Sequence, residues 1–142
     1  MRFWDASAVV PLLVEEPRSG SMRAESAEDP ELAVWWGTVV ECASAVGRRE
    51  RTGALEPSDA TEAFETLERL TREWREVPPT STLRNDARRL VRVHDLRAAD
   101  AFQLAAARIA ADGEPAALPF VTLDERLTLA ASREGFPVTG AG

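Results

Sequence analysis

The sequence predicts an α/β fold in which a short parallel sheet of four to five strands is flanked by helices on both faces. Two observations support this prediction: the apolar runs are short, and helical segments separate them along the chain. The length of 142 residues suffices for one domain with a real core but not for two. We therefore expect a single domain over residues 1–142, without repeats or a dividing linker.

The strands are predicted at five short apolar runs. The first precedes an aspartate near the start of the chain, and the second is a five-residue run that suits a buried strand. The third ends before two prolines, which mark a turn. The last two lie on either side of the final predicted helix. These runs are residues 2–4, 32–36, a segment that ends at 77, 120–123 and 136–139.

The helices are predicted from apolar residues at helical spacing and from residues that cap or stop a helix. Ser7 is a candidate cap for the first helix, in which Pro11 would introduce a bend, and Gly53 and Gly135 end two later helices. The segments are 7–15, a short helix within 17–30, 38–51, 57–75, 80–94, 97–112 and 125–133. The residues expected to face inward include Phe64, Leu67, Leu70, Trp74, Leu83, Ala87, Leu90, Val91, Phe102, Ala105 and Ile109.

The charge balance is acidic, with a formal net charge of −7 and a pI near 4.8. Proteins that bind nucleic acids are usually basic, so this balance argues against that class. However, a carboxylate cluster adds negative formal charge that a bound cation reverses locally. All 17 basic residues are arginines, whose planar guanidinium suits phosphate recognition, although codon bias is the simpler explanation.

Cysteine usage and hydropathy indicate the compartment. Cys42 is the only cysteine, so no intramolecular disulfide can form, which suits a reducing environment. No stretch approaches the ~20 apolar residues that span a bilayer, and the acid at position 5 comes too early for a signal peptide. We expect a cytoplasmic protein with no membrane partner.

Asp5 and Asp124 occupy the same local context, directly after a short apolar strand and before a helix. In open α/β sheets, sites form beyond the carboxyl ends of the strands. If the two strands are neighbours, both carboxylates point into one crevice. Either aspartate could instead only cap the helix that follows it, but the repetition of the unit favours a functional interpretation.

Glu41 and Asp100 are two further acids in predicted helices. Glu41 lies opposite the apolar face of its helix, and an ordinary solvent-facing glutamate would explain it in isolation. Asp100 lies near a helix N-terminus, on a side that also carries Leu104 and Ala107. It could interact with the helix dipole or ligate a metal, and periodicity alone leaves both open.

The sequence argues against several other chemistries. His94 is the only histidine, and one histidine with one cysteine cannot build a usual zinc site. The sequence has no Gly-x-Ser-x-Gly elbow for a serine hydrolase, no Walker A motif and no dinucleotide fingerprint. A phosphatase with a nucleophilic aspartate usually carries a second acid two residues on, where this chain has Ser7.

Four segments resemble the acidic blocks of PIN-domain ribonucleases, and in particular the VapC toxins of bacterial toxin–antitoxin pairs. The resemblance covers nearly the whole chain, and the blocks follow in the family's order. The segments are WDASAVVPLLVEEP, VVECASAVGRR, HDLRAADAFQLAAA and PFVTLDERLTLAASREGF.

The resemblance implies that the four acids are Asp5, Glu41, Asp100 and Asp124. They would hold Mg²⁺ or Mn²⁺, since carboxylate oxygens are hard ligands. Asp5 and Asp100 would be direct metal ligands. Asp124 and Glu41 would bind through water, hold a second metal or position the nucleophile. The hydroxyl groups of Ser7 and Thr122 would support the acids through hydrogen bonds, and no acid of the pattern is missing.

The resemblance also implies partners: an RNA substrate, a second copy in a homodimer, and a cognate antitoxin whose C-terminal segment covers the site. A groove near Trp35 and Trp36 could receive an antitoxin helix. The alternatives are a PIN-like binding module with little activity and a metal-dependent phosphoesterase that acts on DNA or a small phosphate ester.

Overall fold

The computed structural model describes residues 1–140 and contains one five-stranded sheet in the order β3-β2-β1-β4-β5. Every neighbouring pair of strands is parallel, which confirms the predicted fold class. The central strand β1 pairs with β2 on one side and with β4 on the other. The strands are β1 (Arg2–Trp4), β2 (Leu32–Trp35), β3 (Arg75–Val77), β4 (Phe120–Val121) and β5 (Val138–Thr139).

Seven α-helices connect the strands, and a short 3₁₀ turn at Pro115–Ala117 leads into β4. The bounds of α3 and α7 agree with the prediction, and the other helices differ from it by a few residues at their ends. None of the helices among residues 1–140 is both long and apolar enough to span a membrane. They are α1 (Ala6–Leu13), α2 (Ser19–Glu28), α3 (Thr38–Arg51), α4 (Pro57–Glu73), α5 (Ser81–Val93), α6 (Ala98–Ala111) and α7 (Glu125–Arg133).

Two hydrophobic cores lie on opposite faces of the sheet, because successive strand residues point in opposite directions. Phe3 of β1 belongs to the core formed with α5, α6 and α7. Trp4, the next residue, belongs to the core formed with α1, α3 and α4. Both side chains are 0 % exposed. This explains why the strands are continuous apolar runs, as expected for a parallel sheet covered on both faces.

The prediction of an inward-facing side chain is wrong for three residues. Phe64, Val91 and Ile109 are 38 %, 43 % and 39 % exposed. In two of these helices, small residues that were not predicted to face inward are fully buried: Ala63 in α4 and Ala106 in α6. Alanine lets helices and sheet approach closely, so an alanine-rich face packs better than a face with larger side chains.

The start of α1 and the ends of the last strands also differ from the prediction. Asp5, and not Ser7, is the N-cap of α1, and its carboxylate accepts a hydrogen bond from the Ser7 amide. The predicted strand over residues 120–123 ends at Val121. The Thr122 amide still donates to the Thr139 carbonyl, but the Leu123 amide donates to the side chain of Ser7 instead of to a neighbouring strand. Pro11 lies within α1, and its side chain is buried.

Glu134 joins three helices through one carboxylate. Its Oε1 accepts hydrogen bonds from Arg89 of α5 at 2.6 Å and from Arg108 of α6 at 2.7 Å. Its Oε2 lies 2.7 Å from Nε2 of His94. Burial raises the pKa of Glu134, but the hydrogen bonds from Arg89 and His94 and the charges of both arginines outweigh burial and lower the pKa.

We expect Glu134→Ala to lower the free energy of unfolding by about 2 kcal/mol, because partly buried partners lose their acceptor. Urea denaturation followed by circular dichroism measures this loss. Glu15→Ala is the matched control: Glu15 and its partner Arg23 are 77 % and 57 % exposed, and such pairs contribute within about 0.5 kcal/mol. Equal losses in the two variants would contradict the role of Glu134.

Candidate functional site

The sheet order brings Asp5 and Asp124 to the same edge. β1 and β4 are neighbours, with Trp4 in register with Val121, and the Asp5 amide donates to the Val121 carbonyl at 3.2 Å. The chain path also reverses at this point, since β2 and β3 lie on one side of β1 while β4 and β5 lie on the other. The pairing of β1 with β4 confirms that the two strands are neighbours, as a shared crevice requires. Ligand sites in parallel sheets form at such a switch point.

Two hydroxyl groups join the ends of β1 and β4. Ser7 Oγ donates to Asp5 Oδ1 at 2.8 Å and accepts from the Leu123 amide at 2.9 Å. It also lies 3.3 Å from Thr122 Oγ1, which in turn accepts from the Asp124 amide at 3.0 Å. Asp5 is only 4 % exposed. The network therefore fixes the orientation of Asp5 relative to the backbone that carries Asp124.

Glu41 and Asp100 reach the same edge from the first turns of α3 and α6. Gln103, one turn after Asp100, is 1 % exposed, and its Nε2 donates to Glu41 Oε1 at 3.1 Å. The same Nε2 lies 3.0 Å from Oγ1 of Thr38, which is 0 % exposed. The amide of Gln103 thus connects α6 to α3 and orients the Glu41 carboxylate.

All four acids lie in the N-cap or first turn of a helix, and a capping role does not exclude a functional one. Asp5 caps α1, and Asp124 accepts from the Leu127 amide to cap α7. Asp100 accepts from the Arg97 amide at the start of α6. The N-terminal ends of four helices therefore face one region, and their dipoles favour negative charge there.

Burial is the largest influence on the Asp5 carboxyl. It raises the pKa of Asp5 to about 6, although the hydrogen bonds from Ser7 lower the pKa. The charge of Asp124 repels that of Asp5 and adds to the rise. The two acids that follow β1 and β4 are therefore close enough to interact.

Glu41 and Asp100 are also repelled by neighbouring acids. Burial raises the pKa of Glu41 to about 7 against the hydrogen bond from Gln103, and the charges of Asp5 and Asp100 add to the rise. Burial also raises the pKa of Asp100, and the charge of Asp124 contributes. Each acid thus interacts with two others. We call Asp5, Glu41, Asp100 and Asp124 the acid cluster.

An open cleft of about 730 Å³ lies beside the acid cluster and is lined by Glu41 and Asp100 together with Ser7. Arg48 and Arg97 line it as well. Neither arginine forms an ion pair with an acid of residues 1–140. The cleft therefore combines hard oxygen donors with cationic groups that can attract phosphate.

The acid cluster fits a hard divalent cation by its donor chemistry. Its carboxylate oxygens match the preference of Mg²⁺ and Mn²⁺. A cation would offset both the burial and the smaller mutual repulsion that raise the pKa values of Asp5 and Glu41. Within residues 1–140, no three acids, histidines or cysteines already surround one point at ligand distance. The half-exposed carboxylates of Glu41 and Asp100 would have to turn toward the ion.

The sequence pointed to the four acids that the structure brings together, but it did not point to the residues that contact them. Gln103 and Thr38 were not selected, although a glutamine within an alanine-rich helix is a signal, since a buried amide needs partners. Arg97 was seen only as the start of a helix. Its place in the cleft depends on how α6 packs, which no local pattern encodes.

The fold and the acid cluster define an α/β protein with a carboxylate-lined cleft at the switch point of its sheet. The family model described as the PIN domain matches residues 2–132. The chain therefore belongs to the PIN domain family, and the resemblance drawn from the four acidic segments is confirmed.

Solved structures from three organisms share the fold. VapC20 of Mycobacterium tuberculosis, described as a sarcin-ricin loop cleaving toxin, is 22 % identical with a TM-score of 0.68, and the match covers 96 % of both chains. FitAcB of Neisseria gonorrhoeae is 16 % identical with a TM-score of 0.68, over 99 % of this chain and 98 % of the other. PAE2754 of Pyrobaculum aerophilum is 20 % identical with a TM-score of 0.59, over 91 % and 83 %. None of the curated proteins matches this sequence.

Proposed function

We propose that this protein is a metal-dependent endoribonuclease and the toxin of a toxin–antitoxin pair. The observation that carries the proposal is the acid cluster of Asp5, Glu41, Asp100 and Asp124 at the switch point of a PIN domain. The description of the structural neighbour VapC20 as a sarcin-ricin loop cleaving toxin supports the choice of RNA over other phosphodiesters. The proposal places the protein in the cytoplasm as one domain that spans residues 1–142.

Asp5 and Asp100 would hold Mg²⁺ or Mn²⁺, with Glu41 and Asp124 acting through water or on a second ion. When bound, the cation supplies Lewis acidity and lowers the pKa of water at the reacting phosphate. Ser7 keeps the Asp5 carboxylate in place through its 2.8 Å hydrogen bond. This pre-organisation matters because a ligand held in position loses no orientational freedom when the ion binds.

The positive groups of the cleft would hold the RNA backbone. Arg48 and Arg97 line the cleft beside Glu41 and Asp100, so phosphate oxygens that enter find guanidinium donors next to the acids. Arg49 also lines the cleft, but its guanidinium is paired with Glu16 at 2.5 Å. Arg48 and Arg97 are therefore the better candidates for substrate contact.

An antitoxin is the proposed protein partner, and a homodimer is the proposed assembly. Trp36 and Val40 are 54 % and 68 % exposed, and Val40 also lines the acidic cleft. The exposed Val40 side chain next to the carboxylates of Glu41 and Asp100 suits a peptide with both apolar and basic residues. Trp35 is not part of this surface, since it is 8 % exposed and stacks on Phe102 with 5.3 Å between ring centroids.

The experiment that tests the proposal compares cleavage of matched RNA and DNA oligonucleotides by the purified protein with Mg²⁺, Mn²⁺ or EDTA. We expect RNA cleavage that needs the cation and stops with EDTA. Cleavage of DNA or of a small phosphate ester instead would favour a different phosphoesterase. Binding of RNA or a partner without any cleavage, by folded protein that binds the cation, would favour a binding module.

We expect Gln103→Met to lower kcat for RNA cleavage by about 10- to 100-fold, the range for groups that orient a metal ligand or catalytic carboxylate. Methionine has a similar volume but cannot donate to Glu41 Oε1, so the carboxylate would lose its fixed orientation. Thr38→Ser, which keeps the hydroxyl near Gln103 Nε2, is the control and should retain most activity. An unchanged kcat in Gln103→Met would show that Glu41 needs no orientation.

A further inference from the structure

One side of α5 carries three arginines at successive helical turns. Arg84, Arg88 and Arg92 are spaced four residues apart, so their side chains lie along one stripe of the helix. All three are exposed, and none forms an ion pair with an acid of residues 1–140. We call these residues the α5 arginine stripe.

The stripe differs from the paired arginines around it. Arg89 of the same helix bonds to Asp86 and Glu134, so its charge is balanced within the protein. A surface cavity of about 360 Å³ lies among Arg88, Arg89, Arg92 and Val93. The free guanidinium groups at this cavity offer several donors in a planar array, which suits an anionic ligand with oxygen acceptors.

The C-terminal end of the stripe lies a short stretch of chain from the cleft beside the acid cluster. Arg92 lies five residues before Arg97, which lines the cleft, so at most about 18 Å of extended chain separates them. α5 and α6 pack against each other, and the short connection from Val93 to Ala98 joins the end of α5 to the start of α6. Asp100 lies in this first turn of α6.

We propose that the α5 arginine stripe binds the phosphate backbone of a single-stranded RNA that continues into the acidic cleft. This inference rests on the proposed ribonuclease function and identifies where the substrate lies outside the cleft. Four residues of helix advance by about 6 Å, comparable to the step between successive phosphates of an extended strand. A chain with a net charge of −7 repels a polyanion, so a local array of arginines has to hold the strand.

The test measures binding of a labelled single-stranded RNA by fluorescence anisotropy at several salt concentrations, with Mg²⁺ present. Every variant is made in an Asp5→Asn background, which prevents cleavage during the measurement. Arg84→Ala, Arg88→Ala and Arg92→Ala are combined in the test protein. The control combines Arg51→Ala, Arg69→Ala and Arg72→Ala, three exposed arginines of α3 and α4 without ion pairs to acids of residues 1–140, so both proteins change net charge equally.

We expect the test protein to bind RNA at least about 10-fold more weakly than its parent, while the control changes less than about 3-fold. Loss of three phosphate contacts should also reduce the slope of log affinity against log salt by roughly 2. Equal weakening in the two proteins, an unchanged salt slope, or no RNA binding by the parent would overturn the proposal. Unchanged RNA affinity with a smaller assembly size in solution would likewise overturn it, and would assign the stripe to a protein contact.

A second experiment separates this inference from the function on which it rests. It measures RNA cleavage by the wild type and by the triple arginine variant, both with Asp5 intact. Wild-type cleavage together with a raised KM in the stripe variant, at unchanged kcat, supports both. Wild-type cleavage with an unchanged KM in the variant would overturn the stripe and leave the ribonuclease. If the wild type does not cleave RNA but RNA binding still depends on the stripe, the ribonuclease proposal is overturned and the RNA-binding surface remains.

Discussion

Asp5→Asn is expected to lower RNA cleavage at least about 100-fold. Changes to groups that only support a metal ligand already cost 10- to 100-fold, and Asp5 is a proposed direct ligand. The neutral amide can still contact Ser7, whose Oγ lies 2.8 Å from Asp5 Oδ1, so the fold should survive. Substitution also removes a buried charge that Asp124 repels, so the metal-free variant should be at least as stable as the wild type near neutral pH. Cleavage rate and thermal melting measured on the same samples check both statements.

Asp112→Asn is the matched control, because it makes the same charge change at an exposed residue with a left-handed backbone that asparagine tolerates. It should retain wild-type cleavage. If Asp5→Asn cleaved RNA at a rate within about 3-fold of this control, the acid cluster would have no role in the chemistry. A loss of melting temperature that paralleled the loss of cleavage would instead attribute the effect to folding.

Stability of the metal-free protein is expected to fall as pH rises from 5 to 8. Burial raises the pKa of Asp5 from 3.8 to about 6 and that of Glu41 from 4.5 to about 7. The folded state therefore binds more protons than the unfolded state in this range. The contribution of the two acids to the free energy of unfolding is fully present below their unfolded pKa values and is lost as pH rises through their folded pKa values. We expect a loss of about 2 kcal/mol, or roughly 5–10 °C in melting temperature.

Magnesium should reverse this loss. At pH 8, a concentration a hundredfold above its Kd is expected to add about 2.7 kcal/mol, and the gain should shrink at pH 5 as protons compete for the carboxylates. The double variant Asp5→Asn with Glu41→Gln is the control, since it removes both titrating groups and should lose less stability between pH 5 and pH 8. Melting curves of both proteins are measured with EDTA and with Mg²⁺, each at pH 5 and at pH 8. A metal-free wild type that becomes more stable over this range would contradict the burial of the two acids.

Most of the fold was predictable because its signals are local. β1 and the helices α3 and α7 have the predicted bounds, and continuous apolar strands identified a sheet covered on both faces. The errors arise where tertiary packing decides. Phe64 and Ile109 are exposed because neighbouring alanines pack inward. The helical spacing of large side chains gives no information on how closely alanine lets two helices approach.

The site divides in the same way between local and tertiary information. The four acids could be selected as candidates because each lies in a recognisable segment, and Asp5 and Asp124 follow strands. The contacts that orient them were not, since Ser7 meets Leu123 over a separation of 116 residues and Gln103 meets Glu41 over 62. Such pairs depend on which strands become neighbours, and the sheet order fixes that only in the folded chain.

The position of β4 beside the central strand has a consequence for how a cell could make this protein. Asp5 is synthesised more than a hundred residues before Thr122, which supports it, and before its neighbour Asp124. A nascent chain that has not yet delivered β4 therefore has a sheet edge where the acid cluster belongs. The acid cluster is therefore complete only after β4 and residues 122–124 have been synthesised and β4 has paired with β1.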